Sequence, residues 1–196
     1  MESDLKSKIK EITKKIDEES RLMHATLEEI HSNYAKAKEL CSTASERFPI
    51  IIELFTKLQE VVPLDLLHKY NQSWKVSVQK LVFMSSFIRW LETGKLITLQ
   101  EVQLNLFGPK GMVLEIENYL TGITYLPSEL SRLCINSVIS GEYKLPNQIM
   151  IFTKELYSAF QMINLKNDFL RKRFDTIKYD LKKIEEVNFE IALRGL

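Results

Sequence analysis

The sequence predicts an all-α, single-domain bundle of six or seven helices over residues 1–196. Three observations carry this. Apolar residues recur at spacings of three and four along most of the chain, the period of a helix with one buried face. Glycine and proline number only 6 and 5, too few for an all-β fold, which needs a turn signal about every 8–12 residues. No glycine-rich phosphate loop or dinucleotide fingerprint occurs, and no internal repeat or low-complexity tract divides the chain. With 45% hydrophobic and 27% charged residues, the composition is that of a folded globular domain with one sizeable core, not a disordered chain.

The elements follow in order. Leu5, Ile9, Ile12, Ile16, Met23, Leu27, Ile30, Tyr34, Ala37 and Cys41 form one helical stripe, on the order of 55 Å if continuous. Glu18-Glu19-Ser20 interrupts it and Ser32-Asn33 marks a kink, so one long, bent helix is expected. Pro49 opens a second helix, Ile50–Val61, which Pro63 ends. A third runs from Leu64 to Thr93 and stops at Gly94. Thr98 and Glu101 form a capping box for a short helix to Phe107. A fifth covers Leu114–Ser140, kinked near Pro127, and a sixth Asn147–Ile163. The last starts at Asn167-Asp168 and carries Phe174, Ile177, Leu181, Ile184, Val187 and Ile191. The fifth helix is apolar on more than one face, which predicts burial partly against another subunit.

Two cysteines, Cys41 and Cys134, are too few for a disulfide framework or a cysteine zinc site; both fall in apolar surroundings and read as buried free thiols of a reducing compartment. The opening residues lack a basic, then apolar, leader, and no apolar run reaches the about 18 residues of a membrane span. A soluble intracellular protein with no membrane partner is expected.

The chemistry-bearing residues are mostly basic. His24, Glu28 and His31 share one helical face, but the face is lined with charge and reads as solvated rather than as a metal site; His68 reads as an isolated surface histidine. Glu129 is expected to pair with Arg132, one turn on. No serine or cysteine has a local histidine partner, so no nucleophilic triad is implied. Lys6, Lys10 and Lys14 lie on one face of the first helix. Lys69, Lys75 and Lys80 surround Tyr70 and Trp74, and Arg171-Lys172-Arg173 opens the last helix, with Lys178, Lys182 and Lys183 beyond. Cations neutralise phosphates and aromatic rings stack on unpaired bases. The formal net charge is only +1, so a polyanion-binding surface has to be local.

The strings SELSRLCINSVISGEY (128–143), NLKNDFLRKRFDTIKYDLKKIEEV (164–187) and ALRG (192–195) resemble the translin/translin-associated factor X family. A thinner likeness extends upstream through Tyr119 to Gly122, Leu91 to Thr93, Gln79 to Phe83 and Trp74. The resemblance implies an all-helical subunit of a closed, hollow oligomer, typically a homo-octamer, that binds single-stranded RNA and DNA. It implies that Lys69 to Lys75, with Asn71 and Ser73 at positions where vertebrate relatives carry histidine, contacts nucleic acid, as does Lys6; Lys10 and Lys80 extend that set. A second basic cluster of those relatives has no counterpart at Glu39 to Ser45. The Arg171 to Arg173 run implies an intersubunit or helix-end role.

The catalytic carboxylates of the family's nuclease subunit, translin-associated factor X, correspond to Lys80, Phe83, Tyr125 and Glu129, of which only Glu129 is acidic. The resemblance therefore implies a non-catalytic, cofactor-free scaffold and RNA clamp, cytoplasmic and nuclear. With translin-associated factor X it would form a ribonuclease complex acting in small-RNA silencing and tRNA processing. Two alternatives stay open: a metal-dependent endoribonuclease acting as a homo-oligomer, with Glu129 and unmatched acids such as Glu115 and Glu117 holding the metal, and a purely structural helical scaffold.

Overall fold

In a computed structural model of the chain, described for residues 2–164 and 166–196, all regular structure among the described residues is helical. Met1, at the head of the segment read for a leader, and Leu165, in the 164–187 string, lie outside the described residues.

The first helix, α1 (Glu2–Glu28), buries Ile9, Thr13, Ile16, Ser20, Met23 and Leu27, an alternation of four and three that keeps one face inward. The helix is continuous through Glu18-Glu19-Ser20, and the buried stripe, expected to be interrupted there, continues through Ser20. Ser20 is small enough to be buried, and Glu19 leaves the stripe to meet Arg47 at 2.8 Å. The kink at Ser32-Asn33 proves to be a full break. Asn33 leaves helical geometry at φ −148°, ψ 72°, and α2 (Ala37–Ser45) folds back on α1. One bent helix is thus a helical hairpin.

Pro49 sits in the first turn of α3 (Phe48–Val61), where its missing N–H has no helical partner to lose. Val62 is extended ahead of Pro63, as the clash with a proline ring requires. The expected helix from Leu64 to Thr93 is divided into the short α4 (Leu67–Tyr70) and α5 (Lys75–Thr93), separated by a tight turn at Asn71–Ser73. Asn71 and Ser73 compete with helical hydrogen bonding, and the turn delivers Tyr70 and Trp74 into the core. Gly94 ends α5 in the left-handed conformation, φ 67°.

The capping box of α6 (Leu99–Phe107) forms as expected: Thr98 Oγ1 accepts from the Glu101 N–H at 3.2 Å, and Glu101 accepts from the Thr98 N–H at 2.8 Å. The kink near Pro127 is also a break, between α7 (Ile116–Ile123) and α8 (Leu126–Ile139). Thr124 closes α7 by donating its hydroxyl to the Thr121 carbonyl at 2.6 Å. The chain ends in α9 (Leu145–Gln161) and α10 (Asp168–Arg194), the latter capped by Asn167 Oδ1 on the Leu170 N–H at 3.0 Å. Three of the seven expected helices are each split in two, so ten α-helices stand among the described residues, with four short 3-10 helices.

The core is organised on α5, buried on several faces from Ser77 to Trp90. The helices α1, α2, α6, α7 and α8 pack around it, α3 lies across α1 and α6, and α8, α9 and α10 pack on one another. Both cysteines are buried, and burial pushes each thiol up to about 12, so they are inert filling rather than reactive groups. The closest crossing is α5 on α7. A Cβ at Gly122 would lie 2.5 Å from Val82 Cβ and 2.7 Å from the Gln79 carbonyl oxygen, so only glycine allows the backbones to meet. Gly122→Ala is expected to lower stability by about 1–3 kcal/mol, read as a shift of the chemical denaturation midpoint; unchanged stability would mean that the crossing relaxes without strain.

Candidate nucleic-acid interface

The fold gathers the expected basic residues from two distant stretches. Glu2, in the first turn of α1, accepts from Lys6 Nζ at 3.2 Å and from Lys69 Nζ at 3.1 Å. The start of α1 therefore lies beside α4. Tyr70 donates its hydroxyl to the same carboxylate at 3.5 Å, and Lys69 Nζ lies 5.4 Å from the Tyr70 ring centroid. The lysine hydrogen bonds hold the Glu2 carboxyl below its ordinary value, and Glu2 in turn raises Lys69. Further along the same turn, Asn71 Nδ2 donates to Glu115 at 3.4 Å and Lys75 Nζ meets Glu117 at 3.0 Å. Ser73 is exposed between them. Lys10 continues the exposed face of α1 one turn beyond Lys6.

Each cation here except Lys10 faces an acid that the sequence reading did not single out as its partner. These are exposed or half-exposed pairs, each worth little to stability, so phosphate oxygens can replace the carboxylates at small cost. Two expectations are corrected. Tyr70 and Trp74, each only 6% exposed, do not present faces for stacking on the surface; the irregular turn packs both rings into the core. Lys80 does not join the cluster. It lies five residues after Lys75 on α5, a little over one turn, and points to a different cavity.

That second cavity, of about 860 Å³, lies between α1, α5 and the start of α8, and there Lys80, Phe83, Tyr125 and Glu129 converge. The half-buried Glu129 carboxylate there is already engaged. Glu129 Oε1 accepts from His31 Nε2 at 2.6 Å, and His31 Nδ1 accepts from Asn136 Nδ2 at 3.3 Å. Burial by itself raises the Glu129 carboxyl, but the His31 hydrogen bond and the neighbouring charges of His31, Arg132 and His24 outweigh it and leave the group below its ordinary value.

The expected Glu129–Arg132 ion pair gives way to this arrangement. Arg132 instead reaches both oxygens of Glu28, at 2.8 and 2.7 Å, because the turn after α1 packs against α8. His31 is likewise not on a solvated face with His24. The helix ends at Glu28, and the tight turn that follows rotates His31 inward against Phe87. Glu28, His31 and Glu129 each offer one ligand atom within 4.8 Å of the others, but Arg132 and the His31 hydrogen bond already occupy the two carboxylates. Within the subunit, Glu115 and Glu117 lie with Asn71 and Lys75 and do not join Glu129.

The basic run of α10 divides. Arg171 and Lys172 are exposed, whereas the Arg173 guanidinium lies 3.9 Å from the Tyr125 ring centroid, a cation–π contact within this subunit. Lys182 and Lys183 line a third groove, with Ile139 and Phe189, near the C-terminal end of α10.

The His31–Glu129 bond joins the turn after α1 to α8. Glu129→Gln is expected to cost about 1–3 kcal/mol, the penalty of breaking a partly buried charge-assisted hydrogen bond. Because the folded-state carboxyl is depressed, its contribution is complete above the ordinary glutamate value and is lost as pH falls through the folded value. Wild type should therefore lose stability on acidification over a range where Glu129→Gln loses less. Parallel acid limbs in denaturant titrations at several pH values would contradict this.

The profile of the Translin family matches residues 4–195. Translin of Mus musculus and of Homo sapiens are each 36% identical over 201 residues, spanning 99% of this chain and 88% of theirs. Translin-associated protein X of Pongo abelii is 25% identical over 166 residues, 73% of this chain and 57% of that protein. A solved structure described as the crystal structure of apo-NeC3PO superposes with a TM-score of 0.71 at 18% identity, over 95% of this chain and 91% of that one, a likeness of fold. The match along nearly the whole chain and the shared all-helical architecture place the chain in the Translin family.

Proposed function

We propose that this chain binds single-stranded RNA and DNA without cleaving them, as a homo-oligomer, typically an octamer, and as the RNA-clamping subunit of a complex with translin-associated factor X. In that complex, which would act in small-RNA silencing and tRNA processing in cytoplasm and nucleus, the partner supplies the nuclease. The observation that carries the reading is the meeting of Lys6 and Lys69 on one carboxylate, at 3.2 and 3.1 Å, with Lys75 nearby on the same short segment. Cations far apart in sequence share a surface. A few per subunit, repeated around an oligomer, give useful affinity from weak contacts, which reconciles polyanion binding with a net charge of +1.

Two further observations support the reading. Three of the four positions that would hold catalytic carboxylates carry Lys80, Phe83 and Tyr125, and the fourth, Glu129, is bound to His31. Metal-assisted phosphodiester cleavage needs several converging oxygens. A surface for association is also present: Ile135 and Ile139 of α8 and Phe189, Leu193 and Leu196 around the end of α10 are exposed. This is the kind of contiguous apolar patch that marks a subunit contact.

Binding of a fluorescent single-stranded RNA should weaken steeply with salt. Lys69→Ala with Lys75→Ala should flatten the slope of log K against log salt by about 1.4, at roughly 0.7 per lost phosphate contact on a single strand. An unchanged slope would move the interface away from α4 and α5. For association, Ile139→Asp with Phe189→Asp is expected to shift the protein to smaller species in analytical ultracentrifugation; an unaltered sedimentation profile would exclude this patch as a subunit contact.

A further inference from the structure

The segment that carries the cations also forms one wall of a groove that the sequence did not disclose. Leu64, Leu67, Asn71 and Trp74 face Val113, Leu114 and Glu115 across a cavity of about 430 Å³, within the roughly 300–1,000 Å³ of small-ligand pockets. The walls are apolar and the lip is open: Leu64 and Val113 are 73% and 84% exposed. One end is polar. Asn71 and Asn118 donate to the two oxygens of Glu115, at 3.4 and 3.3 Å, and Gln59 and His68 stand at the margin.

The groove is built rather than incidental. Its far wall, the stretch after α6, is pinned by one side chain: the Gln103 amide donates to the Met112 carbonyl and accepts from the Leu114 N–H at 2.6 Å. Gly111 lies so close to the Phe107 carbonyl that a Cβ would stand 2.0 Å from its oxygen. Asn118 is held from beneath by Gln79 Nε2 at 3.0 Å. The near wall is the 64–74 segment itself, fixed by burial of Trp74.

An apolar slot with a donor–acceptor edge, opening beside a row of lysines, matches one ligand chemistry. A nucleobase has two apolar faces and a polar rim, and its phosphates lie a few ångströms away on the same strand. The geometry points to this groove as the receptor for one unpaired base of the strand whose phosphates rest on Lys69 and Lys75; this rests on the clamp reading and deepens it. Asn71 and Gln59 each present a donor and an acceptor, so the slot tolerates different bases. A base paired within a duplex has its faces stacked and its rim occupied, so it cannot enter. The groove, rather than the lysines, would then make the clamp select single strands: the lysines read phosphate and the groove reads an unstacked base.

The test uses the full-length protein in its own oligomeric state with two fluorescent probes of equal length, oligodeoxythymidine and the abasic strand with the same phosphates. The abasic strand is expected to bind about tenfold more weakly, the equivalent of about 1.4 kcal/mol. Leu64→Ser with Val113→Ser, both on the exposed lip, should bring oligodeoxythymidine down to the abasic level and leave abasic binding unchanged. Trp74 emission should be quenched by oligodeoxythymidine and not by the abasic strand, over a constant background from Trp90, which is buried beside Phe152. Equal binding of the two strands by the wild type, or lip substitutions that weaken both alike, would overturn the groove and leave the clamp standing. Absence of binding by either strand at low salt would overturn the clamp and the groove together.

Discussion

The burial of α5 is the constraint on which the rest depends. A helix with little exposed face cannot be completed by its own sequence; it needs neighbours on several sides at once, and the fold is the arrangement that supplies them. The approach of α7 is the most demanding, since Gly122 sits where any side chain would meet Val82 and the Gln79 carbonyl. Gln79 also bonds Asn118, so the crossing fixes the register of α7 on α5 by a hydrogen bond as well as by contact. That register places Glu115 and Glu117 opposite Asn71 and Lys75. The surface proposed to meet nucleic acid is in this sense a consequence of core packing two turns away.

The same helix separates two sites by the direction in which its side chains leave it. Lys75 projects toward α7 and the cation cluster, while Lys80 and Phe83 project into the cavity shared with Tyr125 and Glu129. In that cavity His31 and Asn136 tie the half-buried Glu129 carboxylate into a hydrogen-bonded chain. Partial burial disfavours a carboxylate that lacks a partner; the histidine offsets that cost and fastens the turn after α1 to α8. At this place, then, Glu129 holds helices together, which is a different use from holding a metal.

Electrostatics on the cation surface follows from exposure. Glu2, Glu115 and Glu117 are bonded to the donors proposed to meet phosphate or base, and each bond is solvent-screened. Such pairs hold the lysines in position while contributing little stability. The acids are therefore competitors for the same donors, and they lower the local positive field that the lysines alone would produce.

The sequence by itself determined the class of the fold and most helix ends, because those are local matters. The three-and-four spacing, the Thr98–Glu101 capping box, Asn167 as a cap and Gly94 as a stop all act over a turn or less, and each stands as read. That Lys80, Phe83, Tyr125 and Glu129 form one set came from the family resemblance and not from any local pattern; the fold brings the four to one cavity. Tertiary structure decided the breaks at Asn33, at Asn71–Ser73 and at Thr124, where a continuous stripe can be served equally by one helix or by two that fold back. It decided the partners too: Glu129 with His31 rather than Arg132, Arg173 on Tyr125, Trp74 inward, Lys80 apart from Lys75. Helical spacing limits which residues share a face but not which distant face they meet, and a pair separated by about a hundred residues leaves no local trace. The groove between the 64–74 segment and the stretch after α6 belongs to the same class, since neither wall is a site until the core brings the other against it.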